Sequence, residues 1–64
     1  MKLYQERVIE EKMELDEKIV KLRAFIEGPL FSTLPDDSRL QMHRQLRAMG
    51  DYSDALNERI AAFE

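Results

Sequence analysis

The stretch MKLYQERVIEEKMELDEKIVKLRAFIE, residues 1–27, decides the fold because it contains neither glycine nor proline. Its apolar side chains recur at alternating steps of three and four residues, once Lys12 is counted as a position on the same stripe. That spacing predicts one face of an α-helix, and its mean period of about 3.5 is typical of helices that pack lengthwise. The stripe consists of Val8, Leu15, Ile19, Leu22 and Ile26, with Met1 and Gln5 extending it backward. Ile9 and Phe25 widen it, so we predict an amphipathic helix over about residues 2–27.

Gly28 and Pro29 end this helix, because glycine suits a left-handed C-cap and proline cannot continue the helix. A connector over residues 28–34 carries Leu30, Phe31 and Leu34, which we expect to fold over the end of the core, with a short helical turn at 29–32. Proline followed by two aspartates is a start signal, so a second helix is predicted over about residues 35–63. The apolar phase is unchanged across Gly50, which favours a continuous helix. Its stripe is Met42, Leu46, Met49, Ser53, Leu56, Ile60 and Phe63.

Two helices of similar length and a short connector predict an all-α fold, an antiparallel helical hairpin in a single domain. A core is marginal at 64 residues, and the chain has no cysteine for disulfides or a zinc–thiolate site. Ile9, Phe25, Leu40 and Tyr52 would stay partly exposed in one copy. We therefore expect a homodimeric four-helix bundle or a larger symmetric oligomer. The expected core and oligomer interface comprise Val8, Leu15, Ile19, Leu22, Phe25, Ile26, Leu46, Met49, Tyr52, Leu56 and Ile60.

Composition narrows the function classes. The formal net charge is −3 and neither half is basic, so DNA binding has no electrostatic footprint. The sequence has no run of membrane-span length and no signal-peptide core, which predicts a cytoplasmic protein. His43 has no catalytic partners and is expected at the surface or an interface. The helix-one glutamates lack a Glu-x-x-His spacing and are expected to be solvated. We expect no enzyme activity, metal or cofactor.

Several polar residues allow two interpretations. Lys12 and Gln5 interrupt the first stripe, either as long side chains that reach solvent or as a polar layer that fixes register in the oligomer. Opposite charges four residues apart predict helical ion pairs at Arg7/Glu11, Lys12/Asp16, Glu14/Lys18 and Glu17/Lys21. The methionines Met13, Met42 and Met49 are expected to fill the core rather than line a groove.

Particular segments carry a family resemblance. Tyr4-Gln5-Glu6-Arg7-Val8, Glu14-Leu15-Asp16-Glu17-Lys18, Lys21-Leu22 and Phe25-Ile26 resemble a group of small phage and prophage proteins named after a protein of a crAss-like phage. The second half is similar through Gln45-Leu46, Met49, Tyr52, Leu56 and Arg59-Ile60. The group is similar to the helical hairpin of the anti-CBASS and anti-Thoeris sponge proteins. The resemblance implies a non-enzymatic oligomer, larger than a dimer, such as a hexamer, that captures cyclic-nucleotide immune signals in pockets between subunits.

The resemblance also implies site residues. The aromatic near the start matches Tyr4, and the helix-one lysine matches Lys18 or Lys21. Tyr4 and Lys18 share a helix face about 21 Å apart, so two first helices crossing antiparallel would bring Tyr4 of one copy to Lys18 of the other. Tyr4 would stack on a base, while Lys18 and Arg7 would meet phosphate. Ordinary surface charge is the alternative.

A second basic cluster on the second helix could serve another anionic site, unless it is ordinary surface charge. It consists of Arg39, Arg44 and Arg47.

Three functions remain open. The first is a phage anti-defence sponge that sequesters a cyclic nucleotide in the cytoplasm of the bacterial host. The second is a helical protein that docks on a host protein and inhibits it. The third is a structural assembly protein without ligand. The resemblance ranks the sponge first.

Overall fold

The computed structural model describes residues 2–64, so Met1, predicted to extend the first stripe, lies outside the described residues. Helix α1 spans Leu3–Glu27 and helix α2 spans Asp36–Ala61, with a single 3-10 turn at Phe31–Thr33 in the connector. The two helices pack against each other as an antiparallel hairpin, and residues 2–64 contain no strand. The predicted all-α hairpin is confirmed. The molecule is a rod with extents of 47 × 15 × 13 Å.

The helix ends are satisfied by local hydrogen bonds. The backbone N–H of Lys2 donates to the Gln5 side-chain oxygen over 3.1 Å, so one polar residue of the first stripe caps α1. The N–H of Gly28 donates to the carbonyl of Phe25 and closes the last turn. Gly28 has a φ of −84°, so the predicted left-handed C-cap is wrong and the helix ends in extended backbone. Pro35 is the N-cap of α2, and the aspartates that follow favour the positive end of the helix dipole.

The connector turn lies slightly later than predicted, at residues 31–33 instead of 29–32. The hydroxyls of Ser32 and Thr33 donate to the carbonyls of Pro29 and Leu30, and these bonds hold the turn.

The core is narrow. Among residues 2–64 only four apolar side chains are buried, and Leu56, which is 1 % exposed, is the deepest. The buried apolar residues are Val8, Leu15, Ile19 and Leu56. Four partly buried apolar residues pack against them: Leu46, Met49, Ile60 and Phe63. Leu22 and Ile26 are half-buried. Phe25 and Tyr52, predicted for the core and oligomer interface, are 36 % and 44 % exposed in one copy.

Helix α2 passes through Gly50 without a break, as the unchanged apolar phase predicted. A Cβ added at Gly50 would meet no atom within 4 Å. Nothing inside the hairpin therefore requires a glycine there.

A polar layer lies between the helices at mid-length. The ammonium of Lys12 contacts the Asp16 carboxylate at 2.7 Å and donates to the Ser53 hydroxyl at 3.1 Å. That hydroxyl donates to the other Asp16 oxygen at 2.5 Å. Lys12 therefore bonds across the hairpin instead of reaching freely into solvent. Because Ser53 comes from α2, the three groups fix the rotation and register of α2 on α1.

Candidate ligand-binding flank

Each helix carries a second line of residues that repeats every seven residues. Each of them stands directly before every second position of the stripe. On α1 these are Tyr4, Glu11, Lys18 and Phe25, and on α2 they are Gln45, Tyr52 and Arg59. In an antiparallel helix pair such lines lie side by side along one edge of the core. We call this surface the aromatic flank. Four of the five aromatic residues lie on it or, like Phe63, beside it.

Two contacts fix how the helices face each other. Tyr4 meets Phe63 edge to face on the aromatic flank, with ring centroids 6.0 Å apart and planes at 83°. On the other side of the core, Asp16 meets Ser53. Counting along both helices from these contacts brings Lys18 level with residues 49–51 and Glu11 level with residues 56–58. Among the flank residues of α2, Tyr52 is therefore the nearest to Lys18 and Arg59 the nearest to Glu11.

The cations of this region are available for a ligand. Among residues 2–64 the only ion pairs are Lys12–Asp16 and Arg39–Asp36. The pairs predicted for Arg7 with Glu11 and for Glu14 with Lys18 are therefore not formed, nor is Glu17 with Lys21. The aromatic flank carries Lys18, Arg59 and Glu11, a net charge of +1 on a chain whose net charge is −3.

The predicted ligand residues separate into two groups. Tyr4 and Lys18 lie on the aromatic flank, and Arg7 lies one turn beyond Tyr4 on its outer edge. Arg44 and Arg47 lie on the outer surface of α2 and are exposed. The structure does not bring them to the flank.

The polar layer has its own electrostatics. The hydrogen bonds that Lys12 and then Ser53 donate to Asp16 lower the pKa of its carboxyl, because they stabilise the charged form. Asp16 is therefore ionised at neutral pH and keeps the layer bonded. Among residues 2–64 no group of three or more histidine, cysteine or carboxylate side chains could hold a metal ion.

A sequence model of the Sequestin family matches residues 2–62, nearly the whole chain. The chain belongs to the Sequestin family. No curated protein and no solved structure matches it. The Sequestin name fits a sequestering protein, and such a family suggests binding without catalysis. The link to a crAss-like phage stays a prediction.

In this Sequestin chain, sequence reasoning missed Tyr52 and Arg59 as parts of the candidate site. The sequence places Tyr52 at the interface because it borders the stripe, and it gives Arg59 no role in a site. The signal was the seven-residue spacing between Tyr52 and Arg59. Tyr4 and Lys18 are separated by two spacings of the same length.

Two further features of the Sequestin hairpin lie away from the aromatic flank. An open groove of about 480 Å³ runs along α1, lined by Met13, Asp16, Glu17, Val20 and Lys21. Met13 is exposed there instead of filling the core. His43 packs its ring edge to face on Phe31, with centroids 5.2 Å apart, and so helps hold the connector on α2.

No helix within residues 2–64 is both long and apolar enough to cross a membrane.

Proposed function

We propose that this chain is a phage-encoded sponge that binds cyclic-nucleotide immune signals in the bacterial cytoplasm and keeps them from their receptors without turnover. The observation that carries the proposal is the aromatic flank. It combines exposed aromatic rings with cations that form no ion pair within residues 2–64. Bases stack on aromatic rings, and phosphates bind lysine and arginine. Membership in a family named for sequestration supports the same function.

The pocket is proposed to form between two copies. Tyr4 and Lys18 are about 21 Å apart along α1, farther than one small ligand spans. Two copies that meet antiparallel by their aromatic flanks bring Tyr4 of each to Lys18 of the other. The Glu11 side chains of the two copies then face each other across the two-fold axis. Arg59, the flank residue of α2 nearest to Glu11, supplies the compensating charge.

Surface area supports self-association. The accessible surface of one chain is 5156 Å². A compact monomer of 7.6 kDa exposes about 4,300 Å² by the usual scaling with mass. The excess of roughly 860 Å² is close to the ~800 Å² that each partner buries in a standard interface. One hairpin therefore exposes about one interface more than a monomer of its size.

The experiment is a ligand panel measured by thermal shift and calorimetry, with linear and cyclic mono- and dinucleotides. We expect one or more cyclic nucleotides to raise the melting temperature of the wild type. Tyr4→Ala and Lys18→Ala should remove that shift. Arg47→Ala is the matched control, because it removes a cation outside the flank and should keep the shift.

Two outcomes would contradict the proposal. If no nucleotide in a broad panel shifts the wild-type melt, the chain is not a nucleotide sponge. If Arg47→Ala loses as much affinity as Lys18→Ala, binding reflects overall charge and the aromatic flank is not the site.

A further inference from the structure

The pairing of the helices assigns a second aromatic residue to the ligand site. We propose that Tyr52 and Lys18 of the same chain form a nucleotide clamp, in which Tyr52 stacks on a base and Lys18 binds the adjacent phosphate. The clamp rests on the proposed function, since it concerns the same ligand. It differs from the pocket described above because Tyr52 comes from α2, and because both residues of the clamp belong to one copy.

Position is the first support. Lys18 and Tyr52 occupy equivalent places on their helices, each directly before a stripe position, Ile19 and Ser53. The Tyr4–Phe63 and Asp16–Ser53 contacts set the register, in which Tyr52 is the flank residue of α2 nearest to Lys18. The two residues therefore offer a ring and an ammonium to one small ligand without a second copy.

Availability is the second support. Tyr52 is 44 % exposed, and its ring makes no contact with another ring within residues 2–64. Lys18 forms no ion pair with a carboxylate within residues 2–64, although Glu14 lies one turn before it. An exposed tyrosine near an unpaired ammonium matches the chemistry of a nucleotide, which offers a flat base and an anionic phosphate.

Rigidity is the third support. Ser53, the residue after Tyr52, is buried and bonded to both Lys12 and Asp16. This anchor fixes the rotation of α2 at the position from which Tyr52 projects. A site held by a bonded neighbour loses less affinity to ordering on binding than a site on a mobile segment.

The clamp also places Tyr52 in the two-copy pocket. When Tyr4 of a second copy approaches Lys18, it approaches Tyr52 as well. The base would then lie between two tyrosine rings, one from each copy, with Lys18 at its phosphate.

The test compares Tyr52→Leu, Tyr52→Phe and Tyr4→Leu with the wild type, using cyclic di-AMP, AMP and ribose 5-phosphate as probes. Base stacking on one aromatic residue is worth roughly 5- to 150-fold in affinity. We expect Tyr52→Leu to lose that factor for the tightest-binding nucleotide, and Tyr52→Phe to stay within about threefold of wild type because the ring is kept. Ribose 5-phosphate, which has no base, should bind weakly and equally to wild type and Tyr52→Leu.

Two readouts separate stacking from a structural role. Nucleotide binding should shift the Tyr52 ring-proton resonances upfield, through the ring current of the base, and sedimentation should give Tyr52→Leu the wild-type mass. A wild type that binds neither these probes nor any nucleotide of the broad panel would end the proposed function and the clamp together. Wild-type affinity in Tyr52→Leu alongside a loss in Tyr4→Leu would end the clamp alone. Loss of the assembled mass in Tyr52→Leu, without a ring-current shift in the wild type, would also overturn it.

Discussion

Gly50→Ala should stabilise the hairpin. Gly50 lies in the interior of α2, fifteen residues after Pro35 and eleven before Ala61. Its backbone is helical and needs no glycine, since no residue among those described has a positive φ. The new methyl group would meet no atom within 4 Å, so it neither clashes nor fills a cavity. The only large change is the smaller loss of backbone freedom on folding.

The magnitude follows from helix propensity. Glycine in a helix interior costs about 0.8–1.0 kcal/mol relative to alanine. For a domain of this size, 1 kcal/mol moves the melting temperature by about 4–8 °C. Because the methyl group gains no apolar contact, we add nothing for burial. The expected result is a gain of about 1 kcal/mol in the free energy of unfolding and a melt higher by at least about 4 °C.

The assay is thermal and urea unfolding followed by circular dichroism at several protein concentrations. Ala48→Gly is the matched control, because Ala48 is an exposed residue in the interior of the same helix and should lose what Gly50→Ala gains. A Gly50→Ala chain that melts lower than wild type while Ala48→Gly behaves as expected would refute the reasoning. It would mean that another molecule approaches the α2 backbone at Gly50 in the assembled protein.

Three other changes test the packing. Leu56→Ala removes the most buried side chain and should lower the free energy of unfolding by about 2–5 kcal/mol, which is much of the stability of so small a domain. Helicity measured at 25 °C should fall. An unchanged melting temperature would show that Leu56 is not central to the core. Acid should weaken the polar layer, because folding lowers the pKa of Asp16. The stability that this gives is fully present above the ordinary carboxyl pKa near 4, and it is lost as the pH falls through the pKa of Asp16 in the folded chain. Urea midpoints from pH 7 to pH 2 should therefore fall less for Asp16→Asn than for wild type, and parallel curves would contradict this. Lys12→Leu should broaden the mass distribution in sedimentation, because the layer no longer specifies register; a variant that assembles identically would remove that role.

The helices could be predicted because their signals are local. Steps of three and four residues from Val8 to Ile26, with no break before Gly28, define α1 without reference to α2. The same holds for α2, where the constant phase on both sides of Gly50 predicted an unbroken helix. Position and burial of the stripe residues follow from this periodicity, which is why the hairpin was predictable.

The cross-helix pairing could not be predicted in the same way. Asp16 and Ser53 are 37 positions apart, and only the folded register brings them together. The same register makes Tyr52 the flank residue of α2 nearest to Lys18. The spacing of Glu14 and Lys18 allowed an ion pair between them. An exposed pair stabilises a helix by only a few tenths of a kcal/mol, and this one is not formed.

The most direct test of sequestration is recovery of the bound ligand. Purified protein is incubated with cyclic di-AMP and the other cyclic nucleotides of the panel, separated from free ligand and then denatured by heat. The released material is identified and quantified by mass spectrometry. Sequestration predicts that the captured nucleotide is retained in stoichiometric amounts and released chemically intact, and that Lys18→Ala retains none. A ligand that is absent after separation, or that is recovered cleaved, would contradict the central claim.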